Sequence, residues 1–107
     1  MDTNRVGEGW SALADGTRRA IVSRLADGPQ AVGQLAAQLP VTRSAVSQHL
    51  KILKNAGLVS EYAAGTRRIY RLNPLAVAAL RDQLDTFWQR ALVSYVEVAG
   101  QATEESS

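Results

Sequence analysis

The sequence predicts a mainly α-helical protein with a small β-hairpin, in a winged helix-turn-helix arrangement of about five helices and a two-stranded wing. Three observations carry this prediction: two helical patterns joined by a very short turn, a strand–turn–strand pattern directly after them, and a long apolar helical pattern that follows. A length of 107 residues fits one domain. We place that domain at residues 9–99, and we expect residues 1–8 and the acidic tail at 100–107 to be disordered.

The first two predicted helices are bounded by residues with marked capping preferences. A short helix covers residues 9–14, and Asp15 then provides an N-cap whose carboxylate can accept a hydrogen bond from the first turn of the second helix. The second helix ends at Gly28 and Pro29, because glycine adopts the left-handed conformation easily and proline does not continue a helix. We expect the basic side chains of this second helix to be solvated: Arg18, Arg19 and Arg24.

The next two helices form the helix-turn-helix unit. The third helix covers residues 33–39 and stops at Pro40, so only two residues separate it from Thr42, a suitable N-cap for the fourth helix. The fourth helix lies at 42–56 and ends before Gly57, which can turn left-handed. Three apolar residues recur at helical spacing and define its inward face: Val46, Leu50 and Leu53.

The outward face of the fourth helix is polar and basic. The chain contains no Asp or Glu between Leu39 and Ser60. A helix with hydrogen-bond donors and acceptors but no carboxylate suits base edges and phosphates, so we interpret it as a DNA recognition helix. The alternative is an ordinary amphipathic surface helix, on which both signs of charge usually mix. The candidate DNA-binding residues of this face are Arg43, Ser44, Ser47, Gln48 and Lys51.

A β-hairpin is predicted at residues 58–72, with strand-like stretches on both sides of a turn at 64–66. Arg67 and Arg68 lie beside this turn, at the tip. A basic tip favours contact with the minor groove or its phosphates. The alternative is a hairpin tip that only aids solubility. The recognition helix and the basic hairpin support each other as one winged DNA-binding unit, which favours the DNA interpretation.

A long amphipathic helix is predicted from Pro74, with Asn73 as its cap. Its apolar stripe extends over roughly six turns, and its aromatic content exceeds what the core of so small a domain needs. We therefore predict that it forms the subunit interface of a homodimer together with the first helix, although part of it packs within its own chain. The candidate interface residues are Trp10, Leu13, Leu80, Leu84, Phe87, Trp88, Ala91, Leu92 and Tyr95.

The charge distribution is typical of a module that binds a polyanion. The net charge is only +2, but residues 16–71 hold nine basic and two acidic side chains, between segments that are net acidic. No apolar run is long enough to span a bilayer, and the first residues show no signal-peptide pattern. We therefore expect a cytoplasmic protein that binds double-stranded DNA and not membranes.

Three segments resemble the ArsR/SmtB family of bacterial winged-helix repressors: LADGTRRAI, SAVSQHLKILKNAGLV and GTRRIYRL, within a similarity that covers about residues 10–95. The resemblance implies a homodimer whose first and last helices form the interface, and which represses its own operon until an effector releases it. It also implies DNA contacts from the recognition helix and the wing: Arg43, Ser44, Ser47, Gln48, Arg67 and Arg68.

The chain departs from the metal-sensing members of that family. Those members use a Cys-x-Cys motif near the recognition helix, or His and carboxylate ligands on the last helix. This chain has no cysteine and a single histidine, which does not lie on the last helix. Carboxylates alone suit hard cations and not a selective zinc or arsenic sensor. We therefore expect no metal and no cofactor, and the residues identify no inducer.

The single histidine, His49, raises two further possibilities. As a metal ligand it lacks a second ligand. As a catalytic base it would need a nucleophile such as Ser44 or Ser47, but Ser47 faces a different direction on a helix and no carboxylate lies close in sequence to orient the ring. We therefore predict that the protein is not an enzyme. The remaining alternative is a winged helix that binds other proteins, and the basic exposed face favours DNA over that alternative.

Overall fold

The computed structural model describes the backbone of residues 3–106 and the side chains of residues 7–101. Within this range the chain forms five helices and three strands, so the predicted fold class is confirmed. Their bounds are α1 Thr3–Ala12, α2 Gly16–Ala26, β1 Gln30–Ala31, α3 Val32–Gln38, α4 Arg43–Asn55, β2 Val59–Ala64, β3 Arg67–Leu72 and α5 Pro74–Ser106.

The sheet has one strand more than the predicted hairpin. Its order is β1-β3-β2 and both pairings are antiparallel. The short connection before α3 pairs with the wing, because Gln30 lies opposite Tyr70. Ala64 pairs with Arg67, so the turn between the long strands holds two residues rather than the predicted three. Gly65 occupies this turn with φ +64°, a left-handed conformation that glycine adopts without a steric cost.

The core holds α4 in place from its inward side. Val46, Leu50 and Leu53 are each fully buried, which confirms the predicted inward face of the recognition helix. The buried cluster around them draws on the other helices and on the base of the wing: Ala12, Ile21, Leu25, Leu35, Ala56, Leu58, Val59 and Leu80. The polar face of α4 is therefore turned outward by the burial of the opposite face.

The predicted caps of α2 and α4 are present. The Asp15 carboxylate accepts a hydrogen bond from the Arg18 backbone N–H at 3.0 Å. The Thr42 hydroxyl accepts one from the Ala45 N–H at 3.1 Å. Gly57 follows α4 with φ +81°. These local features fix where α2 begins and where α4 begins and ends, because the two caps satisfy backbone groups that a helix terminus leaves without partners.

The prediction that the arginines of α2 are solvated is wrong for Arg18, which is half-buried, and is confirmed for Arg19, which is exposed although it also donates hydrogen bonds. Arg18 Nε donates to the Ala12 carbonyl at 2.6 Å. Arg19 Nη1 donates to the Leu13 and Ala14 carbonyls at 2.9 Å and 3.1 Å. The last carbonyls of a helix lack intrahelical donors, and these two side chains supply them at the end of α1. Arg24 is exposed, as expected.

The first and last helices extend beyond their predicted outer ends, whereas α1 stops short of the predicted end at residue 14. Helix α1 begins at Thr3 and ends at Ala12, and α5 continues to Ser106, so the backbone is helical at 3–8 and 100–106, where we expected disorder. No proline follows Pro74 to stop the last helix, and a single glycine costs only about 1 kcal/mol. Residues 1, 2 and 107 lie outside the described residues, and the domain bounds at 9–99 stay a prediction.

Candidate nucleic-acid interface

The polar face of α4 is open to solvent along its length. Every candidate DNA-binding residue on it is exposed: Arg43, Ser44, Ser47, Gln48 and Lys51. Residues three and four apart are neighbours on a helix surface, so these side chains form one continuous strip. A helix of this diameter enters the major groove of B-DNA, where such side chains can bond base edges.

An open cleft of about 660 Å³ separates the first half of α4 from the tip of the wing. It is lined by Arg43 and Ser47 of α4 and by Thr66, Arg67 and Arg68 of the wing, among others. The fold thus brings together two groups of residues that lie far apart along the sequence. The other three candidates on α4 lie further round the helix and do not line this cleft: Ser44, Gln48 and Lys51.

The two wing arginines occupy successive positions of β3, although both contribute to the lining of the cleft. Arg68 lies opposite Ala63 in the hairpin register, and Arg67 lies opposite Ala64. Successive side chains of a strand alternate between its two faces, so Arg67 and Arg68 occupy opposite faces of the wing. From the sequence we described the two arginines as one basic tip. In the hairpin, one arginine belongs to each face of the strand. Arg68 shares its face with Glu61 and Tyr70.

Sequence reasoning missed the acidic residue at the base of the wing. Glu61 Oε1 lies 2.8 Å from Lys54 Nζ and 4.0 Å from Arg68 Nη1. The pKa of Glu61 is lowered from its ordinary value of 4.5, chiefly by the hydrogen bond from Lys54 and then by one from Tyr70. Burial is the main cause that raises the pKa of Tyr70. The sequence does contain a feature that singles out this residue, because Glu61 is the one acidic residue between Asp27 and Asp82.

His49 joins α4 to the start of α2. Its side chain is half-buried, with Nδ1 3.4 Å from Arg18 Nη1 and 3.9 Å from Asp15 Oδ2. Asp15 is remote in sequence, so the sequence could not predict this carboxylate beside the ring. The same carboxylate caps α2, and the pKa of Asp15 is lowered first by the hydrogen bond from the Arg18 N–H. Among the side chains of residues 7–101, no cluster of three or more His, Cys, Asp or Glu residues could hold a metal ion.

The candidate interface residues divide into two groups. Leu80 is 7% exposed and touches Gly9 of α1, and Leu13 packs against the same core. Burial in their own chain leaves these two little surface for a partner. The others are exposed: Trp10, Leu84, Phe87, Trp88, Ala91, Leu92 and Tyr95. A groove of about 780 Å³ lies between α1 and α5, and Trp10 Nε1 donates across it to Gln83 Oε1 at 2.9 Å.

The two lowered carboxyl pKa values predict a stability that falls in acid. The ordinary pKa values are 3.8 for Asp15 and 4.5 for Glu61, and both are lower in the folded chain. Such groups stabilise the fold above their ordinary pKa, and the contribution is lost as the pH falls through the folded-state value. Thermal unfolding measured from about pH 6 to about pH 2 should show this loss. The Asp15→Asn/Glu61→Gln variant should lose less stability over the same range, and an equal loss would contradict the assignment.

Comparison with known proteins identifies the class that this arrangement belongs to. The family described as bacterial regulatory protein, arsR family, matches residues 15–61. The HTH-type transcriptional regulator Rv2034 of Mycobacterium tuberculosis is 65% identical over 89 residues, which is 83% of each chain.

Solved structures agree in fold. An ArsR-like transcriptional regulator from Rhodococcus sp. RHA1 is similar with a TM-score of 0.73 and 28% identity, over 90% of this chain and 93% of that one. The homodimeric winged helix-turn-helix DNA-binding domain of Mb0332 from Mycobacterium bovis gives a TM-score of 0.67 and 32% identity, over 83% and 82% of the two chains.

The fold and the comparisons together define a bacterial transcriptional regulator with a winged helix-turn-helix DNA-binding domain. The chain belongs to the ArsR family. That family consists of DNA-binding regulators and not of enzymes. The full sequence contains no cysteine, so the chain offers no thiolate ligand. Within residues 3–106, no helix has both the length and the apolar character needed to cross a bilayer.

Proposed function

We propose that the protein is a homodimeric repressor that binds an imperfect DNA palindrome, including one at its own promoter. The observation that carries this proposal is the cleft in which Arg43 and Ser47 of α4 lie beside the two wing arginines. A recognition helix and a basic wing on one side of the molecule can engage a major groove and the neighbouring backbone together. Repression follows because a protein bound there blocks access of RNA polymerase, in the cytoplasm where both meet the DNA.

Each candidate side chain has a role that its chemistry supports. Arg43 can form a bidentate pair with guanine, and Gln48 can do so with adenine. Ser44 and Ser47 can bond either base edges or phosphates. Lys51 is a point charge suited to a phosphate. Arg67 and Arg68, on opposite faces of the tip, suit the minor groove and the phosphates that border it.

The homodimer is supported by the surface of α5. Every described side chain from Arg81 to Gln101 is exposed, including Phe87 at 63% and Tyr95 at 72%. The chain has a radius of gyration of 19.0 Å, against about 13 Å expected for a compact domain of this length. A helix that projects with bare aromatic side chains needs a partner, and the related domain of Mb0332 is itself homodimeric.

A second copy of the chain would cover this surface symmetrically. The proposed contacts are Trp10, Leu84, Phe87, Trp88, Ala91, Leu92 and Tyr95, whereas Leu13 and Leu80 hold α1 and α5 against their own core. A two-fold axis then presents two recognition helices to one side of the duplex. Half-sites about one helical turn apart, roughly 34–36 Å, follow from that symmetry.

DNA binding is tested with the wing variant Arg67→Ala/Arg68→Ala. We expect the unaltered protein to bind a fragment from upstream of its own gene in a fluorescence anisotropy titration. The variant should bind less tightly, and the slope of log affinity against log salt should fall by about 0.9 for each phosphate that a subunit no longer neutralises. Arg24→Ala is the matched control, since Arg24 is an exposed arginine outside the cleft. Unchanged affinity and slope in the wing variant would contradict the wing assignment.

A winged helix that binds only other proteins is the competing function. This alternative predicts that the protein prefers no DNA sequence. It also predicts that the slope of log affinity against log salt is the same in the wing variant, the control and the unaltered protein. The exposed basic strip on α4 favours DNA, because a protein-binding winged helix tends to present apolar or acidic residues there. Sequence-specific binding in the titration therefore separates the two functions directly.

A further inference from the structure

Glu61 is an unexpected residue to find beside a DNA-binding surface. The segment from Gly28 to Arg81 contains one carboxylate, Glu61, and it lies between the recognition helix and the wing. A carboxylate there repels phosphates and lowers affinity for any DNA sequence. Its position therefore needs a reason other than contact with DNA.

The carboxylate connects three elements. It accepts a hydrogen bond from Lys54 Nζ in the last turn of α4 at 2.8 Å, and it lies 4.0 Å from Arg68 Nη1 on β3. Tyr70 lies directly opposite Glu61 in the hairpin register and is the second cause, after Lys54, that lowers the pKa of this carboxyl. The Glu61 side chain is only 21% exposed, so these contacts are partly shielded from water and from salt.

The wing projects from the domain beyond this point. All residues from 62 to 68 are exposed, so the hairpin has little packing of its own past Glu61 and Tyr70. A two-stranded hairpin without a packed face is marginally stable and free to bend. The contact between Glu61 and Lys54 is therefore placed where it can fix the angle of the tip relative to α4.

We propose that Glu61 is a positioning residue for DNA recognition, which ties the wing to the last turn of the recognition helix through Lys54 and braces the two wing strands through Arg68. It thereby holds Arg67 and Arg68 at one angle to α4, and it keeps Lys54 and Arg68 from binding phosphates indiscriminately. The residue lowers affinity for random DNA and raises the preference for the operator. This inference rests on the proposed DNA-binding function.

The test is Glu61→Gln, which removes the charge and keeps the size of the side chain. Binding to random DNA should become tighter, and its salt slope should steepen by about one to two units per subunit as the freed cations reach phosphates. The ratio of operator to random-DNA affinity should fall about tenfold, because the tip loses its fixed angle. In the free protein, amide hydrogen exchange of the wing strands should accelerate.

Two further variants distinguish the loss of the fixed wing angle from the simple removal of a negative charge. The double variant Lys54→Gln/Glu61→Gln should have a salt slope about one unit shallower than Glu61→Gln alone. Its ratio of operator to random-DNA affinity should stay as low as in Glu61→Gln. Asp27→Asn removes an exposed carboxylate at the end of α2, outside the cleft, and should leave the ratio unchanged. A Glu61→Gln protein that binds operator and random DNA more tightly by the same factor would overturn the inference alone. A natural protein that binds no DNA would overturn the proposed function and the inference together.

Discussion

Replacement of Trp88 by glutamate is expected to convert the protein to monomers and to abolish detectable operator binding. Trp88 is 55% exposed on the projecting part of α5, within the surface that we propose a second copy covers. A carboxylate buried there without a partner costs several kcal/mol, which exceeds what a modest interface can supply. Each subunit then binds its half-site alone, and the loss of paired binding weakens operator affinity by about 10²–10⁴-fold.

Sedimentation at several protein concentrations and an anisotropy titration on the same sample measure both effects. Gln89→Glu is the matched control, because Gln89 is the next residue on the same helix and the substitution adds the same charge on a different side. Leu84→Glu should reproduce the Trp88→Glu result from one turn earlier. Operator affinity that survives in a monomeric variant would refute symmetric binding by two recognition helices.

Substitution of Leu50 by alanine is expected to lower the free energy of unfolding by about 2–5 kcal/mol. Leu50 is fully buried on the inward face of α4, so its truncation leaves a cavity directly behind the recognition helix. A loss of this size is a large part of the roughly 5–15 kcal/mol that stabilises a natural domain. The variant should therefore lose operator binding on mild warming before the unaltered protein does.

Urea denaturation at one fixed protomer concentration measures the change, because the apparent stability of a dimer depends on concentration. The control is Ile52→Ala on the same helix, where the side chain is 42% exposed and its truncation removes less buried surface. An unfolding free energy within about 1 kcal/mol of the unaltered protein in Leu50→Ala would show that the core collapses around the cavity.

Local features of the fold were predictable from the sequence. Each predicted feature depends on residues that are close together along the chain. These features are the caps at Asp15 and Thr42, the inward face of α4 and the strands of the wing. Strand β1 was not predictable, since two residues at 30–31 become a strand only when β3 lies beside them. The partners of Arg18 were missed for the same reason, because they belong to α1 and α4.

The sequence predicted which residues of the candidate site are exposed, but it did not predict the side-chain contacts between its elements. The outward face of α4 followed from the burial of the opposite face. The ion pair between Lys54 and Glu61 joins two elements, so neither helical spacing nor strand alternation could indicate it. In the same way, the stripe on α5 did not reveal that Leu80 packs in its own core while Leu84, one turn later, is bare.

The position of α5 in the chain has a consequence for assembly. Of the core residues, all but Leu80 precede α5, and synthesis proceeds from the N-terminus. The DNA-binding half of each molecule can therefore fold before α5, which we propose pairs the subunits, has left the ribosome. Pairing then waits for two finished chains to meet, so it is second order in their concentration. If the proposed homodimeric repressor is correct, a newly made chain at low copy number spends time folded but unpaired, and this delay limits how quickly its promoter is silenced after growth dilutes the protein.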